Sequence, residues 1–345
     1  MRAVVYRGPG KVEVQDVPVP RPLGPRDAVV RVTRAAVCGT DLHPYRGELP
    51  GFPAGTVLGH EFAGRVHEAG PEVPFAVGER VFASDVIACG RCSDCLRGRH
   101  YQCGAGSLFG YADVAGPSVD GGQAQYVRVP FADVVLAHTP DSVTDEQALF
   151  VGDVLTTAYA GVRAARCEPG DVLGVVGAGP VGVLAARCGA LAGAAEVVVA
   201  EPDARRREQA AEFGVRAVAP ADFAAALRAA TGGRGADAVI EAVGSDTALA
   251  CALDATGPCG TVVALGAHHS TAMPFPTGQA FARELSVRFT VGNPIALRDR
   301  VLGVIRAGVD PGGIVTHRLP LEAAAEAYRL FDRHRAFKVV LECAS

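Results

Sequence analysis

Val172-Leu173-Gly174-Val175-Val176-Gly177-Ala178-Gly179-Pro180-Val181-Gly182 is the stretch whose reading decides the fold. A short apolar, β-branched run stops at a G-x-G-x-x-G pattern, and a run of good helix formers, Val183-Leu184-Ala185-Ala186, follows. The pattern alone is weak in a chain with 42 glycines, so its position between strand and helix carries the meaning. Gly177 permits a tight turn, Gly179 lets a pyrophosphate approach the backbone, and Gly182 lets helix and strand pack closely. Pro180 and Val181 open the helix, whose unpaired N–H groups and partial positive charge suit phosphate.

Downstream, the next β-branched run, Glu196–Ala200, ends at Glu201, 19 residues after Gly182. An acid there accepts hydrogen bonds from an adenosine ribose and repels a 2′-phosphate, which favours NAD over NADP. Arg205, Arg206 and Arg207 argue the other way, since an arginine cluster binds such a phosphate; their alternative is a solvated helix face. Further β-branched runs, Ala236–Val243, Thr261–Leu265 and Val287–Val291, alternate with alanine-rich segments. That βαβα alternation predicts a parallel sheet covered by helices. Leu297–Ala307 then reads as helix and Phe337–Leu341 as a closing strand. Upstream, the first 150 or so residues hold short alternating segments such as Val30-Arg31-Val32-Thr33 between Gly- and Pro-rich turns, and read as β-rich. The expected division is a β-rich domain over 1–153, a dinucleotide domain over 154–294, and a return to the first domain over 295–345.

A length of 345 residues suits two domains, each with a core of its own. The 49% apolar and 20% charged fractions fit a globular protein, and a net charge of −4 gives no footprint for nucleic acid or an anionic membrane. Gly8-Pro9-Gly10 interrupts the N-terminal segment before a secretory apolar region could form, and motif glycines with Pro180 break the apolar stretch from Val172 to Ala186. A cytoplasmic protein is expected.

Cys89, Cys92, Cys95 and Cys103 stand at C-x2-C-x2-C-x7-C, so one lobe of about 89–103 can wrap four thiolates around a tetrahedral ion. Zinc suits four soft ligands, and a shell so closed has no position for substrate. The reading is a structural zinc; its alternative is a disulfide knot, which a reducing compartment disfavours. Cys167, Cys188, Cys251, Cys259 and Cys343 show no metal spacing and read mostly as small buried hydrophobes.

Cys38-Gly39-Thr40-Asp41-Leu42-His43, Gly59-His60-Glu61-Phe62-Ala63-Gly64, Gly78-Glu79-Arg80-Val81, the cysteine lobe, Asp153 and the glycine motif occur in that order. With them the whole chain resembles the zinc-dependent alcohol dehydrogenases of the medium-chain dehydrogenase/reductase superfamily; Gly78-Glu79 departs mildly from the family's usual Gly-Asp. The resemblance implies an α/β fold, with a GroES-like catalytic domain flanking a Rossmann domain with a six-stranded parallel sheet. It implies a catalytic zinc on Cys38, His60 and Asp153, with Glu61 beside it, hence two zinc ions per chain. It implies a proton relay through Thr40 and His43, Thr157 against the nicotinamide, the Leu265-Gly266-Ala267 backbone on its carboxamide, and Lys338 near the pyrophosphate. It also implies a homotetramer or homodimer acting on a small alcohol or carbonyl with NAD. Asp153 alternatively reads as a helix cap, and Lys338 as a solvated lysine.

Asp85 falls where many relatives of that kind have an apolar pocket residue. It either faces a polyhydroxylated or amine-bearing substrate or points to solvent. Phe109, Tyr111 and Asn293 are further pocket candidates. Two other functions stay open: a relative that reduces an activated double bond with NADPH, and a non-enzymatic dinucleotide-binding protein.

Overall fold

Strand Val172–Val176, buried along its whole length, is central in a six-stranded parallel sheet. The computed structural model of the chain describes residues 1–270, 272–273 and 275–343. Across the sheet the strands run Ala217–Val218, Glu196–Ala200, Val172–Val176, Ala236–Glu241, Thr256–Ala264 and Ser286–Phe289, every neighbouring pair parallel. This is the doubly wound order of dinucleotide-binding sheets. Helices Pro180–Leu191, Pro220–Ala230 and Asp246–Ala255 pack against the central strand. Val172, Val198, Phe223, Leu227, Val239, Leu249 and Val262 share one apolar cluster.

Several boundaries differ from the sequence pattern. The strand expected to reach Val243 ends at Glu241, because Glu241 Oε1 accepts the N–H groups of Val243 and Gly244, each at 2.7 Å, and turns the chain. The strand expected from Thr261 starts at Thr256, running through Gly257 and Pro258, residues with poor strand propensity. Its register against Ala236–Glu241 shifts there. Val287–Val291 is realised as Ser286–Phe289, Leu297–Ala307 as a helix over Pro294–Arg306, and Phe337–Leu341 as Val339–Glu342.

The largest sheet is seven-stranded, and two two-stranded ribbons, Arg2–Gly8 with Lys11–Asp16 and Val86–Ile87 with Ser107–Leu108, accompany it. Its main path runs His317–Pro320, Val339–Glu342, Ala28–Val37, Phe62–Ala69, Arg80–Ala83 and Leu136–His138, and Tyr126–Val129 also pairs with Ala28–Val37. One compact unit comprises Met1–Asp153, Asn293–Asp299 and Ile314–Ser345, the other Val154–Gly292 and Arg300–Gly313. Residues 300–313, which the sequence reading gave to the returning segment, cluster with the dinucleotide unit. There Gly303, Val304 and Ala307 line a groove with Tyr159, Val162 and Leu191. Among the described residues no helix is long and apolar enough to cross a membrane.

Candidate active site

Strand Ala28–Val37 runs directly into Cys38, and helix Gly39–Tyr45 starts immediately after it. Asp41 on the first turn organises this corner. Its Oδ2 accepts the Cys38 N–H at 2.9 Å and the Gln123 side-chain amide at 3.1 Å. Its Oδ1 lies 3.3 Å from His60 Nδ1. A carboxylate on the far nitrogen of a metal-binding histidine fixes the ring and its tautomer. The sequence reading missed Asp41. An acid three places into a helix signals a cap, but nothing local shows that its other oxygen reaches His60.

Cys38, His60 and Asp153 converge, with ligand atoms all within 4.8 Å of one another. Asp153 Oδ2 is 3.2 Å from His60 Nε2 and 3.5 Å from Cys38 Sγ. Tetrahedral zinc bonds of about 2.0–2.3 Å set ligand atoms about 3.3–3.8 Å apart, so these groups stand at the spacing of a shared ion. Neither ring nitrogen of His60, 2% exposed, has a properly directed hydrogen bond. A buried Nε2 without a proton partner, facing a thiol and a carboxylate, fits a divalent cation. Burial opposes charge on His60, but Asp41 and Asp153 outweigh it and raise its pKa well above the ordinary value. Burial pushes the Cys38 thiol up as well.

Glu61 and Lys338 form an enclosed pair beside these residues, with Nζ 2.5 Å from Oε2 and both side chains fully buried. Burial, then Asp153, push Glu61 up to about 7 against the pull of Lys338. Lys338, expected on a pyrophosphate or in solvent, has Glu61 as its partner in this structure, because the returning chain threads it into the interior just before strand Val339–Glu342. Asp85 is also buried, with its Oδ2 taking the Tyr101 hydroxyl, so it does not point to solvent. Burial and the charge of Asp153 push its carboxyl up to about 7.

In the cysteine lobe, Cys89 and Cys95 Sγ are 4.0 Å apart, as are Cys92 and Cys103 Sγ. Four zinc–sulfur bonds of about 2.3 Å give a tetrahedral edge of about 3.8 Å, whereas a disulfide needs about 2.05 Å. The spacing suits a thiolate cage rather than a disulfide, with the four Sγ atoms within 4.8 Å of one another and all ten cysteines free. Main-chain N–H groups of Cys89 and Arg91 point at Cys103 and Cys89 Sγ, at 3.3 and 3.5 Å. The N–H of Cys95 and the thiol beside it hold Cys92 down to about 6.

In the other unit, each motif glycine has a physical reason. Gly177 has φ +101°, a Cβ on Gly182 would lie 1.8 Å from Gly177 O, and Gly179 faces open space within 4 Å. Gly179 caps helix Pro180–Leu191, with Pro180 first and Val181 second. Glu201, 4% exposed, accepts the N–H groups of Ala178 at 2.9 Å and Asp203 at 3.1 Å. It is therefore tied to the glycine turn and keeps acceptor positions in hand. Arg207 bonds the carbonyls of Glu201 and Pro202, each at 2.8 Å, and so caps the strand end. Arg206 sits on the first turn of helix Ala204–Glu212, its N–H on Asp203 Oδ1 at 3.1 Å. Leu265 and Gly266 donate to Glu241 O at 2.8 and 3.0 Å, and a Cβ on Gly244 would strike Ala267 O at 2.3 Å. Thr157 has its hydroxyl against Gly292, where a Cβ would come within 2.3 Å.

Thr40 and His43 lie one turn apart on helix Gly39–Tyr45, and His43 Nδ1 is 2.6 Å from the Glu48 carboxylate. Of the remaining pocket candidates, Phe109 is fully buried edge-on to Phe62, Tyr111 packs on Phe52, and Asn293 bonds His100 and Gly98.

Two family models match the chain: an alcohol dehydrogenase GroES-like domain over residues 24–141 and a zinc-binding dehydrogenase over residues 180–305. A "Probable zinc-binding alcohol dehydrogenase" of Mycobacterium tuberculosis is 38% identical over 330 residues, covering 95% of this chain and 84% of its own. The solved alcohol dehydrogenase of Thermus sp. ATN1 superposes with a TM-score of 0.95 at 38% identity, covering all of both chains. A structure described as an NAD-dependent alcohol dehydrogenase superposes with a TM-score of 0.84 at 32% identity, again over the full length of both.

Proposed function

The chain belongs to the zinc-type alcohol dehydrogenases of the medium-chain dehydrogenase/reductase superfamily, and on that premise we propose that it interconverts an alcohol and its aldehyde or ketone with NAD(H). The observation that carries this is the meeting of Cys38, His60 and Asp153, with His60 Nδ1 turned to Asp41 and Nε2 to the other two. Zinc held by these three supplies Lewis acidity toward the substrate oxygen, and the dinucleotide supplies the hydride acceptor. A second zinc on the four lobe cysteines has a purely structural part.

The chain's own residues do the rest. Asp41 keeps the His60 ring oriented, and the Glu61–Lys338 pair sets a buried charge beside the ligands. The hydroxyl proton of the substrate passes to Thr40 Oγ1 and leaves by way of His43, one helix turn along and steadied by Glu48. Imidazole suits that exit because one ring nitrogen can take a proton while the other gives one up. The glycine turn and helix Pro180–Leu191 receive the pyrophosphate, and Glu201 receives the adenosine ribose. Its carboxylate and the relative described as NAD-dependent support NAD over NADP. Strand Ser286–Phe289 is the last in its sheet and leaves Phe289 69% exposed, which supports self-association into a dimer or tetramer.

The test is an alcohol, aldehyde and ketone panel followed by NADH absorbance, with NADP run in parallel and zinc measured on the same sample. Zinc at two per chain and turnover with NAD are expected. Reduction of activated alkenes by NADPH without alcohol oxidation would overturn the reading.

A further inference from the structure

One carboxylate oxygen close to the proposed metal ligands lacks a well-directed hydrogen bond. Asp85 is 4% exposed; its Oδ2 takes the Tyr101 hydroxyl, and its Oδ1 is buried without a hydrogen-bond partner. The site is rigid. The Asp85 N–H donates to Gly152 O at 3.0 Å, one residue before Asp153, and a Cβ on Gly152 would lie 2.1 Å from Ala83 O. Residue 85 is thereby locked against the segment that delivers a metal ligand. Keeping a buried acceptor unmatched is costly, and native proteins pair such atoms unless the gap has a use. The neighbouring ligands cannot fill it. Cys38 and Asp153 are themselves electron donors to a metal, and the ring nitrogens of His60 face Asp41 and Asp153.

We infer that Asp85 Oδ1 accepts a hydrogen bond from a second polar donor on the substrate, a hydroxyl or ammonium group close to the carbinol that reacts, and that Tyr101 aims it. Preferred substrates are then vicinal diols or amino alcohols, and simple alkanols are poor ones because they leave this oxygen unmatched. The inference deepens, and rests on, the alcohol-oxidising reading above.

The test uses three secondary alcohols with the same reacting centre: 2-propanol, 1,2-propanediol and 1-amino-2-propanol. The zinc-loaded enzyme is expected to favour at least one of the two bifunctional compounds by about tenfold or more in kcat/KM, the effect of a hydrogen bond to a charged group. In Asp85→Ala that preference collapses toward unity, chiefly through KM. Asp85→Asn, which keeps the volume and a neutral acceptor, retains part of a hydroxyl preference and loses an ammonium preference. Zinc content and melting temperature verify that both variants fold. A wild-type enzyme that oxidises 2-propanol as well as the other two overturns the inference and leaves the redox reading standing. So does an unchanged preference in both variants. Failure to oxidise any of the three, or any alcohol of the wider panel, overturns the redox reading and this inference with it.

Discussion

Lys338 and Glu61 are the residues at which charge is hardest to keep, since neither side chain has any exposed surface. Each ion loses its hydration, and the pair survives by mutual attraction across 2.5 Å, with Phe150 under the ammonium at 5.7 Å. Burial works against the charge on Lys338, yet Glu61 and Cys38 outweigh it and raise its pKa. Removing one partner strands the other in a medium of low polarisability. We therefore expect Lys338→Met to destabilise the protein by about 3–5 kcal/mol, read as a shift of the urea midpoint at constant slope. Replacing both partners, as Glu61→Leu with Lys338→Met, is expected to regain most of that loss, because an apolar pair of similar volume needs no compensation. A single variant within about 1 kcal/mol of wild type would show that the pair matters little for folding.

Among the elements, the cysteine lobe depends most on something other than its own packing. Its helices, Ser93–Leu96 and His100–Gln102, are single turns, and its small apolar cluster is built around Ala88, Cys95 and Cys103. A few residues of irregular chain offset little of their own ordering entropy, and the proposed ion would supply the difference. Before chelation, reaction with a thiol reagent at pH 8 is expected to be prompt at the exposed Cys259. Burial pushes Cys188 and Cys343 up to about 12, so both remain slow thiols there. A strong chelator should then release the four lobe thiols together, with little change in far-ultraviolet circular dichroism. Lobe thiols that react fully before chelation would contradict a metal cage. Elements of this molecule differ in how plainly the sequence announces them. Glu196–Ala200 was legible to the residue, because an unbroken β-branched run has no competing reading. Thr256–Ala264 was not, since Gly257, Pro258 and Gly260 look like a turn, and the register against Ala236–Glu241 passes over them from Thr256 to Thr261. The end of Ala236–Glu241 was equally hidden, being set by a side chain bonding to N–H groups beyond it.

At the scale of the whole molecule, the glycine turn was readable from local order, whereas the proposed metal centre became visible only through the succession of motifs. No spacing rule joins Cys38, His60 and Asp153, and the partner of Lys338 lies 277 positions away. Such pairs are products of topology. Strand Val339–Glu342 returns to pair antiparallel with Ala28–Val37, setting Val339, Val340 and Leu341 opposite Val37, Ala36 and Ala35, all of them fully buried. Ahead of it, helix Ala324–Asp332 brings in Tyr328, whose hydroxyl donates to Gln123 Oε1 at 2.8 Å. Gln123 in turn bonds Asp41, and Asp41 faces His60. The last stretch of chain thus holds up His60 through three side chains and supplies the cation opposite Glu61. Deleting residues 314–345 removes that strand and helix, bares the apolar edge of Ala28–Val37, and leaves Glu61 without its partner. Exposed edges of this kind pair with other chains. The truncated protein is expected to accumulate as aggregate, and any soluble fraction to carry less than two zinc ions per chain by elemental analysis. A soluble, fully metallated truncation would mean that residues 1–313 suffice to position the proposed ligands, and that the buried pair and the Tyr328–Gln123–Asp41 chain are dispensable to the site.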